Sequence, residues 1–238
     1  MTETAEPKVA IVTGASQGIG AGAVQAYRKL GYAVVANSRH ITSSADPDVL
    51  TVPGDIADPE TGARLVDRAL EHFGQVDTLV NNAGVFVAKQ FTDYTDADFD
   101  LVAGVNLRGF FGVTRRAIAA MLRNSGTRRG HVVNISTSLV DHANTAVPSA
   151  LASLTKGGLN AVTRSLAIEH AARGVRVNTV SPGIIRTPMH AEQTHGTLAA
   201  LHPVGRMGDI VESIAYLETA EFVTGEILHV DGGQSAGH

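Results

Sequence analysis

The chain has no cysteine among its 238 residues, which excludes disulfides, cysteine-ligated metals and cysteine nucleophiles. No apolar run approaches the roughly 20 residues that a bilayer-spanning helix needs. The opening stretch MTETAEPK is polar and acidic and lacks the apolar core of a secretory signal. A cytoplasmic protein with a flexible tail over residues 1–7 is therefore expected. Positive charge is not in excess, with 19 Lys and Arg against 23 Asp and Glu and a formal net charge of −4. That balance argues against nucleic acid as the main partner. Linkers, repeats and low-complexity stretches are also missing, so one domain spanning 1–238 is expected, an ordinary size for an α/β domain. What is present is 44% hydrophobic and 18% charged residues, enough for a sizeable core.

Short Val/Ile-rich runs alternate with longer helical segments. Residues 8–13, 33–37, 77–81, 131–135, 175–180 and 227–230 read as strands. Residues 18–30, 60–73, 96–122, 150–172 and 209–221 read as helices. Segments 40–47 and 187–203 read as irregular. Such alternation implies parallel strands joined by crossover helices. The expected fold class is α/β, a single Rossmann-type doubly wound parallel sheet of about seven strands flanked by helices.

The first strand runs into Thr13-Gly14-Ala15-Ser16-Gln17-Gly18-Ile19-Gly20. Glycine lets backbone N–H groups approach a pyrophosphate, and a helix N-terminus favours its charge. The spacing GxxxGxG differs from the commoner GxGxxG, and an ordinary strand-to-helix turn is the alternative. A hydrophobic strand before it and a helix after it favour the dinucleotide reading. Past the second strand no acidic residue is available for the ribose 2′-OH of NAD. Ser38 and Arg39 stand there instead. A hydroxyl beside a guanidinium suits a 2′-phosphate, so NADP(H) is preferred over NAD(H). The alternative for Arg39 is a solvated surface residue.

Together these motifs resemble the short-chain dehydrogenase/reductase family. Thr13 to Gly20 matches its TGxxxGIG motif and Asn81-Asn82-Ala83-Gly84 its NNAG motif. The likeness covers almost the whole chain, in order. It implies that Gly14, Ser16, Gln17, Gly18, Ile19 and Gly20 cradle the pyrophosphate. It implies that Asp55 and Ile56 meet the adenine and that Asn82, Ala83 and Gly84 touch the cofactor. Asn106 falls where the family's catalytic-helix asparagine lies. Asn178, Pro182, Gly183, Ile185 and Thr187 match the segment that contacts the nicotinamide. Taken by themselves, NNAG is also a turn sequence and Thr187 also suits an N-cap.

The family's chemistry uses a tyrosine, a lysine and a serine. Lys156 stands in a context similar to the family's lysine, where it would hold the nicotinamide ribose. The tyrosine belongs four residues earlier, and that position is Ala152; no tyrosine occurs between Tyr94 and Tyr216. The serine is Ser138, with Thr137 as the other choice. Loss of a positioned general acid typically costs about 10²–10⁴-fold in rate. Replacement acids are few: His142, and His190 and His195 in the irregular segment, since histidine titrates near neutrality. Each is also an ordinary surface residue. Ser153 adjoins the vacant position but is a poor acid. No metal cluster is evident.

Four functions remain open. The first is an NADP(H)-dependent oxidoreductase of a small carbonyl, alcohol or imine substrate with an atypical site. The second is a non-catalytic or regulatory NADP(H)-binding protein. The third is a variant in which Ala152 was introduced to replace tyrosine. The fourth is another reaction at the cofactor site, such as isomerisation. The resemblance also implies a homo-oligomer, tetramer or dimer, built through the helices at 96–122 and 150–172.

Overall fold

The structure, a computed structural model, describes residues 7–187 and 203–237. Strand β1 (Val9–Thr13) is buried along its whole length. Val9 and Ile11 pack into one apolar layer and Ala10 and Val12 into the other. A strand covered on both faces needs no polar alternation, which explains its continuous apolar run. β2 (Ala33–Ser38), β4 (Thr78–Asn81) and β5 (Gly130–Ile135) are likewise covered on both faces, and β6 (Val175–Pro182) is buried except at Arg176 although it carries polar Asn178, Thr179 and Ser181.

With β3 (Val49–Pro53) and β9 (Ile227–Val230) these form a seven-stranded sheet of order β3-β2-β1-β4-β5-β6-β9, every pair parallel. The expected strand count therefore holds, but β3 is not among the segments that the sequence marks as strands. It lies at the sheet's edge, buries little beyond Val52 and ends on Pro53. An edge strand with one covered face carries a weak apolar signal and tolerates proline. A two-residue pair, β7 (Ile185–Arg186) with β8 (Gly205–Arg206), lies apart from the sheet.

Helices α2 (Pro59–Phe73) and α4 (Phe110–Met121) pack together on one face. Helices α1 (Gly18–Lys29) and α6 (Met207–Thr219) pack together on the other. Helix α5 (Ala150–His170) lies along β6. The segment read as one helix over 96–122 divides into α3 (Asp96–Ala103), a π-helical turn (Gly104–Gly109) and α4. The π turn carries Asn106 inward: its Oδ1 accepts from Val85 N at 3.0 Å and its Nδ2 donates to Val85 O at 3.1 Å. Single π turns inside helices commonly serve to aim one residue in this way.

The chain runs outward from β1 to β3, then returns to place β4 on the other side of β1. That reversal opens a crevice beyond the carboxyl ends of β1 and β4, the usual ligand position in open α/β sheets. The opposite edge is closed. There Glu218, from α6, accepts hydrogen bonds from Tyr27 and Tyr32 hydroxyls at 2.9 Å, from Thr78 at 3.2 Å and from His131 Nδ1 at 2.9 Å. Asn178 Nδ2 donates to His131 Nε2 while Asn178 Oδ1 accepts from Glu226 N. His131 is thus held as the neutral Nδ1–H tautomer. Asn178, expected near the nicotinamide, is fully buried in this network instead, because its position on β6 places it below the crevice.

Candidate active site

Two adjoining clefts occupy the crevice, of about 640 Å³ and about 220 Å³, and they meet at Ile19, Asn82, Gly84, Val85 and Thr187. The larger begins at the turn from β1 into α1. Gly14 has φ +66° and Gly18 φ +61°, backbone conformations that favour glycine. A Cβ on Gly14 would lie 2.9 Å from Ala83 Cα and from Asn82 Nδ2. Asn82 donates to the Thr13 and Gly14 carbonyls at 3.0 and 3.1 Å, and Thr13 Oγ1 accepts from the N–H groups of Asn82 and Ala83, both at 3.1 Å. This lattice fixes the ends of β1 and β4 against each other.

Gln17 makes no side-chain cap on α1, so the first-turn N–H groups of that helix face the cleft with their positive dipole end. Ser16, Gln17, Gly18 and Ile19 line the cleft. Gly20, expected to cradle the pyrophosphate, does not itself line the cleft. A Cβ there would strike the Gly14 carbonyl, so its role is to let α1 pack onto the turn. Further along, Ser38 and Arg39 at the end of β2 line the cleft beside His40, and Gly54, Asp55 and Ile56 face them. Ser38 Oγ is buried with no hydrogen-bond partner among the described residues, while Arg39 is exposed. A buried hydroxyl without a partner costs free energy unless a ligand or water supplies one. The positive-φ glycines, the uncapped helix end and this hydroxyl together fit a dinucleotide.

The smaller cleft is walled by Ile135 to Leu139 from the end of β5, by Ala152 and Lys156 from α5, and by Pro182, Gly183 and Ile185 beyond β6. Lys156 Nζ donates to Ile135 O at 2.7 Å. A Cβ added to Gly84 would sit 3.1 Å from that Nζ, so the glycine keeps the passage between the clefts open. Burial pulls the ammonium down to about 8. Ser138 is buried and donates to Gln234 Oε1 at 2.8 Å. Thr137 is less buried and also lines the cleft. Ala152 presents a methyl group where the cleft meets α5.

Two other expected residues stand elsewhere. Asn106 is 2% exposed and lines neither cleft; besides Val85 it donates to Thr155 Oγ1 at 3.2 Å. It shapes the wall behind Gly84 from beneath. His142 does not line the small cleft, because the 3₁₀ turn Ser138–Val140 carries the chain away from it. His190, His195 and His238 lie outside the described residues, as do residues 1–6 of the expected tail. Asn144, Val147 and Gln234 line the small cleft although no sequence signal marks them. They come from loop and tail segments whose approach only folding creates.

The family described as enoyl-(acyl carrier protein) reductase matches residues 14–235. The chain is 37% identical to the cis-4-hydroxycyclohexanecarboxylate dehydrogenase of Sinomonas cyclohexanicum, over 99% of this chain and all of that one. It is similar to the solved 3-ketoacyl-(acyl-carrier-protein) reductase from Brucella melitensis complexed with NADH: TM-score 0.88, 31% identity, 97% of this chain and 99% of that one. It is also similar to a blue fluorescent protein from a metagenomic library in complex with NADPH: TM-score 0.83, 32% identity, 95% of this chain and 97% of that one. The chain belongs to the short-chain dehydrogenase/reductase family. Among these relatives are a dehydrogenase and a reductase, and the two solved structures hold NADH and NADPH.

Proposed function

We propose that the chain is an NADP(H)-dependent oxidoreductase that transfers a hydride between the nicotinamide and a small carbonyl, alcohol or imine substrate, in one dinucleotide-binding domain with an atypical active site. The observation that carries this reading is the pair of joined clefts, the larger ending at Ser38 and Arg39 and the smaller at Lys156. The backbone N–H groups at Ser16 to Ile19 hold the pyrophosphate. Arg39 and the unpartnered Ser38 hydroxyl bind the 2′-phosphate. Asp55 and Ile56 flank the adenine. Lys156 holds the nicotinamide ribose, and Pro182, Gly183, Ile185 and Thr187 back the ring. When bound, the dinucleotide supplies the hydride. Thr137 or Ser138 orients the substrate oxygen; the bond from Ser138 to Gln234 favours Thr137. The family's tyrosine is replaced by Ala152. Copies of the chain pair along α4 and α5, which is supported by Phe111 at 61% and Leu154 at 60% exposure.

A second reading, a non-catalytic NADP(H)-binding protein, draws on one observation: no tyrosine stands among the described residues of the small cleft. Fluorescence titration with NADPH and NADH, then assay of ketones, aldehydes and cyclic imines by nicotinamide absorbance, separates the two. The expected outcome is tighter binding of NADPH, with turnover. Binding without turnover selects the second reading, and binding of neither nucleotide overturns both.

A further inference from the structure

The small cleft is short of acids. Among its described lining residues Lys156 is the one titratable group; the rest are apolar side chains, amides and hydroxyls. The charged or titratable groups of the larger cleft, Arg39, His40, Asp55 and Asp100, do not line the smaller one. Among the described residues, no carboxylate or cation from β4, β5, α5 or the segment after β6 faces Lys156 there. Its Nζ is anchored by its bond to the Ile135 carbonyl, and an ammonium has three N–H donors. One helical turn before it, where a phenol would intervene between the lysine and a substrate oxygen, there is only the methyl of Ala152. Asn106, the polar side chain nearest behind Gly84, is committed to Val85 and Thr155.

Building on the reading of the site as a reductase, we propose that Lys156 itself is the general acid, passing a proton from Nζ directly to the substrate's carbonyl oxygen. One N–H bond of the ammonium breaks and one O–H bond forms. The carbonyl carbon receives the hydride that the reduced dinucleotide supplies, so the carbonyl is reduced to an alcohol and the dinucleotide is oxidised. The neutral amine then recovers its proton from solvent. Burial tunes the group for proton donation. An ammonium at about 8 is charged at neutral pH yet releases its proton far more readily than an exposed lysine. The Ile135 carbonyl orients it without holding the charge as a carboxylate would.

The test uses two probes that differ in their need for a proton. 2,2,2-Trifluoroacetophenone needs one on oxygen; the N-methyl-3,4-dihydroisoquinolinium cation takes a hydride and needs none. With saturating NADPH, the wild-type turnover of the ketone falls tenfold per pH unit above about 8, while that of the iminium stays level. NADPH binding is titrated over the same range to exclude loss of cofactor. Lys156→Arg keeps the charge and donors but does not release a proton near neutrality. It loses about 10²-fold or more on the ketone and only a few-fold on the iminium. Equal losses on both probes, or a level ketone profile from pH 6.5 to pH 9.5, overturn the proposal and leave Lys156 as a ribose-holding residue. If the arginine variant fails to bind NADPH, the two wild-type profiles decide alone. NADPH binding with turnover of neither probe overturns the catalytic reading itself, and the proposal with it.

Discussion

The two ends of the sheet carry similar residue types to opposite purposes. At the amino end, Thr78, His131 and Arg176 stand near the starts of β4, β5 and β6 and are hydrogen-bonded within the chain, while His170 Nδ1 at the end of α5 is the exception, buried without a partner among the described residues. Arg176 alone reaches the carbonyls of Leu217, Glu218, Ala220 and Val223. At the carboxyl end, Ser38 and Ser181 keep buried hydroxyls without partners among the described residues, and α1 begins without a side-chain cap. Buried polar groups that are all satisfied stabilise one fold; those left unsatisfied hold binding capacity in reserve. Stability and ligand binding are therefore expected to separate by end.

Glu218→Ala breaks the comparison hardest. It removes the acceptor of Tyr27, Tyr32, Thr78 and His131 at once, and stranding buried donors costs about 1–3 kcal/mol each, several kcal/mol in all. Chemical denaturation reads that loss, while NADPH affinity of the folded protein stays unchanged; a matching fall in affinity would show the two ends to be coupled. Burial alone would raise the Glu218 carboxyl, but the bonds from His131, Tyr32 and Tyr27 hold it below the ordinary carboxylate range. The native state therefore binds fewer protons than the unfolded chain. Wild-type stability from this group is present above the ordinary carboxylate pKa and is lost as pH falls below it.

Arg39→Ala acts on the other end. It removes a charge-assisted bond of about 1.5–3 kcal/mol, so NADPH affinity falls about 10- to 100-fold in a fluorescence titration. NADH affinity and the denaturation midpoint do not move. Equal weakening of both nucleotides would place Arg39 on the pyrophosphate or outside the site.

The smallest expected effect belongs to the ligand-free site. The Lys156 ammonium is depressed from 10.5 to about 8, so between those values the unfolded chain binds more protons than the native one. Its contribution to stability rises with pH across that window. Relative to Lys156→Met, the wild type should gain on the order of 1–2 kcal/mol from pH 8 to pH 9.5. A difference that does not change with pH would mean that water already solvates the ammonium.

Much of the carboxyl end was legible because backbone conformation and cofactor chemistry demand particular residues there. Gly14, Gly18 and Gly84 are required by a positive φ or a close approach. Ser38 and Arg39 end a strand whose apolar run announces itself. Gly20 belongs to the same motif, where a Cβ would strike the Gly14 carbonyl. The amino-end network left little trace: Glu218 on α6 and His131 on β5 look like ordinary polar residues until the chain brings them 2.9 Å apart. β3 escaped notice because an edge strand has only one face to bury. His142 followed Ser138 closely in sequence and still turned away from the cleft.

Local sequence, by its apolar periodicity and its glycines, determined the alternating strands and helices, the parallel sheet and the position of the phosphate-binding turn, since these depend on neighbours a few residues apart. Tertiary structure decided which polar groups pair and which stay free: that Asn178 serves His131, that Ser138 serves Gln234, and that Lys156 stands beside a methyl group with no carboxylate among the described residues near it. Those outcomes depend on contacts between residues far apart in the chain, which sequence spacing does not encode.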